Sequence, residues 1–518
     1  MTDKFTRRRF LTVLGAGSAC LAAGGIVGLG LLGRDQEKVG FLHAPSTGPF
    51  RAPEVWPLPG ASPENPSGPW HFRSRPDLRP PAVEVTMQAH DTVPGHIFVA
   101  PQEGDGGQGG ALVVDDGGQV AWFHPMQSPS SRAMNFLAQT YRGEPVLTWG
   151  ETPGVYVIYD SSYREIARFE AANGFNGDHH EFLISPQDTA LITIYDAVSK
   201  DLSSVGGMKD SLALQGIVQE LDIETGELLL EWRSLDHVDL EETYAKPGQD
   251  LDYPGIDYFH INSIDVDHDD NLLVSARKTS AVYKVDRKTG EIIWRLGGKK
   301  SDFEMGEGTR FAYQHDARRL PDGTISIFDN GDTVFRKGLP EVVEQSRVII
   351  LDTDERSMKA TLVHEYTHPD GMYADAAGNA QVLPNGNVFV GWGRALAVSE
   401  FNREGELLFD AKLPPGNRTY RAFRSEWHAT DPSSRPAIAA ERTSEDEVRV
   451  YASWNATTEV ESWAVLAGGR PESLKVIGTV PRDGFETAMV ARTPDPYVAV
   501  RARDRLGKTL GTSPAVET

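Results

Sequence analysis

Apolar and polar residues alternate along most of this chain in short runs separated by tight polar turns, a period that predicts strands joined in hairpins and leaves no place for long helices. One unit recurs: a β-rich run, a turn opened by an acidic or amide residue, and a second β-rich run. Six copies can be read, at 112–122, 156–169, 219–232, 283–294, 350–365 and 400–409, with turns opened by residues such as Asp115, Asp222, Asp286 and Asn402. A second hairpin lies between them, clearest at 260–274, 315–327 and 379–390 and looser at 180–194. Two hairpins make a four-stranded unit, and repetition at roughly 45 to 65 residues is the signature of blades around an axis. The expected fold is all-β, a six-bladed β-propeller over 82–440.

After Pro436 the pattern changes to alternating strands at sandwich-like spacing, around Val448, Val460 and Tyr497, with Trp and Tyr placed as in fibronectin-type modules. This predicts a small fibronectin-like β-sandwich over 441–518. Residues 34–81 are rich in Pro, Gly and Ser and read as a linker or strap, and 201–219 and 235–257 are long enough to be inserted lids. Asp265, Asp267, Asp269 and Asn271 have the look of a calcium loop, yet they fall at the hairpin turn occupied elsewhere by Pro321-Asp-Gly and Pro384-Asn-Gly, so a turn is expected and no metal.

The N-terminus departs from the repeat. Thr6-Arg7-Arg8-Arg9-Phe10-Leu11 precedes an uncharged run to Leu32, the pattern of a twin-arginine export signal over 1–33. The run is also long enough to span a bilayer, so the expected product is either extracellular or anchored on the outer face of the cytoplasmic membrane. Cys20, the one cysteine in the chain, lies inside this segment, which removes disulfides, thiolate metal sites and a cysteine nucleophile from the remainder. The composition, with 9% aromatic and 24% charged residues, is that of a folded protein, and a formal net charge of −23 excludes nucleic acid or an anionic membrane surface as the main partner.

Candidate chemistry follows from register. His180, His260 and His315 stand at or just before the start of the same inner hairpin in successive units, and in a propeller such positions converge on one end of the central channel. Three imidazoles then share a pocket with Asn262, Arg318, Asn330, Arg336 and Arg347 as neighbouring donors and cations. This set suits an anion; a three-histidine zinc site ranks second, because the arginines oppose a cation.

At these residues the sequence becomes recognisable. Asp257-Tyr-Phe-His260-Ile-Asn262-Ser, Ile293-Trp-Arg-Leu-Gly-Gly-Lys, Tyr313-Gln-His315-Asp-Ala-Arg318, Glu365-Tyr-Thr-His-Pro-Asp-Gly and Gln381-Val-Leu-Pro-Asn-Gly-Asn-Val strongly resemble the arylsulfotransferase-like family found in actinobacteria and fungi. The resemblance implies sulfuryl transfer from a phenolic sulfate to a phenol, with no nucleotide donor and no cofactor. In the enterobacterial branch a histidine attacks sulfur and carries it as sulfohistidine. By that resemblance His260 and His315 serve sulfate binding and proton transfer, His180 and Asn262 contribute to binding, and Arg336 is the nearest match to the family's arginine, with Arg347 as a rival. The chain departs from the family where the nucleophile is expected, near Thr419-Tyr-Arg-Ala, and His428 or His315 stand as substitutes. Two other classes stay open: an exported propeller that binds an anionic ligand without catalysis, and a quinone-dependent dehydrogenase, suggested by the Trp in Thr289-Gly-Glu-Ile-Ile-Trp294.

Overall fold

The computed structural model describes residues 54–59, 68–102, 104, 107–128, 130–248, 255–331 and 345–518. The N-terminal segment expected to be an export signal and its Cys20 lie outside the described residues, as do most of the Pro-rich stretch and Arg336. Among the described residues no helix is long and apolar enough to cross a membrane.

Six antiparallel sheets, each with a run of four strands, follow one another from His96 to Ser425. Their inner strands are Ala422–Ser425, Ala133–Tyr141, Gly177–Ile184, Ile261–Val266, His315–Arg319 and Asn379–Val382. The chain ends thereby close the ring: Ala422–Ser425 pairs with His96–Val99, so the first blade takes its innermost strand from the C-terminal side. The result is the six-bladed propeller expected from the repeat. Additional edge strands cover three blades, among them Glu84–Met87, which adds to the outer edge of the sixth.

The blades hold together through apolar side chains from facing sheets. Leu191, Val218, Phe259, Val274 and Tyr283 form one such layer between the third and fourth blades. Trp232 sits in the same layer and donates its Nε1 to the Gly290 carbonyl at 3.0 Å, and Trp294 is buried against Phe303 between the fourth and fifth. The tryptophans that invited comparison with quinone enzymes are therefore packing residues between blades.

One sequence expectation changes here. Residues 201–219 are no separate lid: strands Thr189–Lys200 and Ser211–Asp222 pair along their whole length, so most of the supposed insert is an elongated hairpin of the third blade. The acidic turn at 265–271 is tied off internally. The Asp267 N–H reaches the Asn271 carbonyl, while Lys284 binds Asp267 and Asp269 and Arg319 binds Asp267.

The C-terminal strands form two sheets. One contains Ala437–Ser444, Glu447–Ser453 and Glu486–Arg492; the other is built on Ser462–Gly468 and Tyr497–Arg503. Val450, Trp463, Val465, Met489 and Val500 are buried between them. Val55–Pro57, from the Pro-rich stretch, pairs with Glu486–Arg492 as an edge strand, so part of that stretch belongs to the sandwich. Asn455 fastens the sandwich to the first blade by bracketing Phe123: its Oδ1 accepts the Phe123 N–H at 2.8 Å and its Nδ2 donates to the Phe123 carbonyl at 2.7 Å.

Candidate active site

The inner strands of four blades are interrupted by irregular pairing, between Met134 and Leu137, Asp178 and Phe182, Ile261 and Ser263, and His315 and Arg318. Such bulges re-aim side chains that strict alternation would send into the blade interfaces. Here Asn135 and Asp316 take positive φ within the bulges, and His260 does so at φ 55° just before its strand. The polar residues so turned meet on the axis.

The deepest layer is an ion network that seals the channel. Glu181 accepts from Asn135 at 3.1 Å, from Arg421 at 3.0 Å and from Arg318 at 2.6 Å. Asp316 binds Arg318 at 2.8 Å and Arg421 at 3.3 Å, and Arg421 also donates to the Asn262 carbonyl at 2.9 Å. Two carboxylates face two guanidiniums, so this buried layer is neutral and holds several inner strands in register. Arg318 is part of it and does not line the pocket.

Above this layer lies a cavity of about 440 Å³ lined by His180, His260 and His315, by Tyr420, and by Arg132, Arg277, Lys278, Arg394 and Arg418 among others. His180 and His260 meet nearly edge to face with ring centroids 5.3 Å apart, and Tyr420 lies 5.1 Å from His180 and 6.2 Å from His315. The Tyr420 hydroxyl donates to the Asn262 carbonyl at 3.0 Å, and burial raises its pKa, so it stays protonated.

Each histidine is oriented through Nδ1. His180 pairs there with Asp178, His260 with Asp257, and His315 with the Asn330 Oδ1 at 2.7 Å. Asn330 is itself fixed, because its Nδ2 donates to the Ala374 and Ala377 carbonyls, both at 2.9 Å. An acceptor on Nδ1 puts the proton of a neutral imidazole on that nitrogen and leaves the lone pair on Nε2. For His315 that lone pair is already engaged by the Ala377 N–H at 3.3 Å. Among the described residues no donor meets Nε2 of His180 or His260.

Burial lowers the pKa of His260 below its ordinary 6.5, against the opposing pull of Asp257, and lowers that of His315 well below, with the Arg277 charge adding to the effect. Both are neutral at pH 7. Burial pushes the Asp178 and Asp257 carboxyls up, but the adjacent imidazoles outweigh it and both end below the usual carboxylate value.

The cations that line the cavity were missed in the sequence. Arg277 and Lys278 follow the second strand of the fourth blade, and their N–H groups bond the His260 and Phe259 carbonyls at 2.9 and 3.0 Å, which fixes both beside His260. The Nε of Arg277 is buried without a hydrogen-bond partner. A buried unpaired donor at a pocket wall is what an anionic ligand would satisfy. Dibasic Arg277-Lys278 just beyond an inner hairpin was the legible signal for them; Arg132, Arg394 and Arg418 gave none.

Other expected residues lie elsewhere. His428 is on the surface, its side chain 77% exposed and paired with Glu459 of the sandwich region, so it is removed from the candidate nucleophiles. Arg347 is held by Asp329 at 2.9 Å and by the Arg310 carbonyl at 2.7 Å, one layer away from the cavity. The Asn262 side chain donates to the Gln314 carbonyl and it is its own carbonyl that serves the site. Asn330 acts through His315.

The fold and this pocket define the class: a propeller with a histidine-lined, cation-rich cavity on its axis. A family model described as Arylsulfotransferase (ASST) matches residues 138–413, more than half of the chain, and the protein belongs to that family. Solved structures similar to it include a protein of unknown function from Bacteroides caccae, with 13% identity over 64% of this chain and 99% of that one at a TM-score of 0.38. A catalytically inactive virginiamycin B lyase from Staphylococcus aureus, with quinupristin, gives 7% identity over 79% and 99% at 0.34. The Dos1 propeller gives 11% over 67% and 75% at 0.26. No curated protein matches the sequence.

Proposed function

We propose that the protein moves a sulfuryl group from an aryl sulfate to a phenol by a two-step exchange on His180, with His260 as the base. The observation that carries this reading is the pair of carboxylate-backed imidazoles, each with a free Nε2, in a pocket rich in cations. Membership of the arylsulfotransferase family supports an aryl sulfotransferase-like function in general.

In the first step the Nε2 lone pair of His180 attacks sulfur and the S–O bond to the aryl group breaks, its electron pair leaving on the phenoxide. The imidazolium so formed keeps its Nδ1 proton on Asp178, which stabilises the developing positive charge. Arg277 and Lys278 supply charge to the sulfuryl oxygens, and the departing phenoxide takes a proton from solvent. In the second step the acceptor hydroxyl gives its proton to Nε2 of His260 and its oxygen attacks sulfur, returning the N–S electrons to His180. His315, with its Nδ1 proton spent on Asn330 and its Nε2 lone pair on the Ala377 N–H, serves as a fixed wall.

Export through the twin-arginine pattern read at the N-terminus is part of this proposal, and an aryl sulfate donor in place of a nucleotide one fits it. The test is acceptor-dependent release of 4-nitrophenol from 4-nitrophenyl sulfate. Release that rises with phenol and ends in His180→Asn supports the reading; release indifferent to acceptor, or retained in that variant, overturns it.

A further inference from the structure

The cations of the pocket are divided by the geometry of the ring. His180, His260 and His315 come from the third, fourth and fifth blades, and Arg277 and Lys278 from the fourth. Arg132 precedes the inner strand of the second blade, Arg394 lies in a loop of the sixth, and Arg418 precedes the strand that closes the first. In a six-membered ring the fourth blade faces the first, so Arg132 and Arg418 stand across the mouth from His260, whereas Arg394 meets Asp375, whose carbonyl also accepts from the Arg277 guanidinium at 2.9 Å.

Their charge is not used by the fold. Among the described residues the guanidiniums of Arg132 and Arg418 make no hydrogen bond or ion pair, and that of Arg394 has one long contact, 3.4 Å to Asp375. All three are exposed. Among the described residues the cavity has five cationic side chains against two carboxylates, Asp257 and Asp375, in a chain whose net charge is −23. Asp257 is already committed to His260. A sulfate monoester carries one negative charge, which Arg277 beside His260 suffices to meet. Arg132 and Arg418, across a cavity large enough for an aromatic ring, are unexplained by a single sulfate.

Resting on the sulfuryl-transfer reading of the histidine side, we infer that Arg132 and Arg418 form a second anion subsite, and that the natural substrate is an aromatic compound bearing a carboxylate, sulfonate or second sulfate across the ring from the reacting oxygen. The aryl group then lies between the two charged sides, and the remote anion sets its orientation toward His180.

Benzenesulfonate and 1,3-benzenedisulfonate test this without chemistry, since their C–S bonds do not transfer. Calorimetric titration of the full chain is expected to give about tenfold or more tighter binding of the disulfonate at low salt. In the Arg132→Gln/Arg418→Gln variant that gap falls to about twofold or less while benzenesulfonate binding persists; Arg142→Gln, a surface change outside the pocket, leaves the gap intact. Equal binding of the two ligands to the unaltered protein, no measurable binding of either, or a gap that survives in the double variant overturns the subsite. A gap without sulfuryl transfer from any aryl sulfate contradicts the transfer reading alone, and transfer without a gap contradicts the subsite alone.

Discussion

His180 and His260 stand with ring centroids 5.3 Å apart on neighbouring blades, each carrying a carboxylate on Nδ1 and an open Nε2. They stand 80 residues apart in the repeat, and among the described residues His315 beside them has its Nε2 lone pair engaged, so the proposed exchange draws nucleophile and base from this pair.

Replacing either should therefore be severe and replacing His428 should not. His180→Asn and His260→Asn are each expected to lower kcat/KM for 4-nitrophenyl sulfate transfer by about 100-fold or more. His428→Ala, on the exposed surface beside Glu459, should stay within about twofold of the unaltered protein. Steady-state kinetics on the three variants checks both statements.

Asp178→Asn should act through the tautomer. An amide can donate to Nδ1, which moves the imidazole proton to Nε2 and removes the attacking lone pair. The expected loss is in kcat, by roughly 100-fold, with KM little changed. Asp178→Ala, which leaves both tautomers accessible, should be the milder of the two.

The acid side of the pH profile follows from burial. The working form of His260 is neutral, and its pKa lies below 6.5, so activity should persist as pH falls from 7 and decline only beneath that value. Stability has the same sign. Between the folded pKa values of His260 and His315 and 6.5, the unfolded chain binds protons that the native state does not, so stability should decrease as pH falls through this window. Rate profiles and thermal melts from pH 8 to 5, ranges of about three units, test the two halves separately.

Arg421 is fully buried and bridges Glu181, Asp316 and the Asn262 carbonyl. Arg421→Met leaves two carboxylates beside one remaining guanidinium, and should cost about 3 kcal/mol or more in denaturant unfolding. Adding Glu181→Gln should recover part of that loss, because it removes the charge left unpaired.

Much of the fold was legible because a propeller writes its register into the sequence. The turn residues Asp115, Asp222, Asp286 and Asn402 recur at blade spacing, and His180, His260 and His315 fell at equivalent places, which brought them together before any coordinates. What escaped reading depends on bulges and closure. Arg421 and Tyr420 reach the axis because the strand from Ala422 closes the first blade, a contact across more than 300 residues that no local pattern records. Arg132, Arg394 and Arg418 are single residues in loops, where spacing carries no information. His428 misled for the opposite reason: near the closing strand in sequence, it lies beyond the strand's end and turns outward to Glu459.

The most direct measurement is to mix the protein with radiolabelled aryl sulfate in the absence of acceptor, quench in alkali, where an N–S bond survives, and map the labelled peptide. Label on the peptide containing His180, discharged by added phenol, absent in His180→Asn and retained but slowly discharged in His260→Asn, is the predicted result. No label on the protein, or label unaffected by His180→Asn, would contradict it.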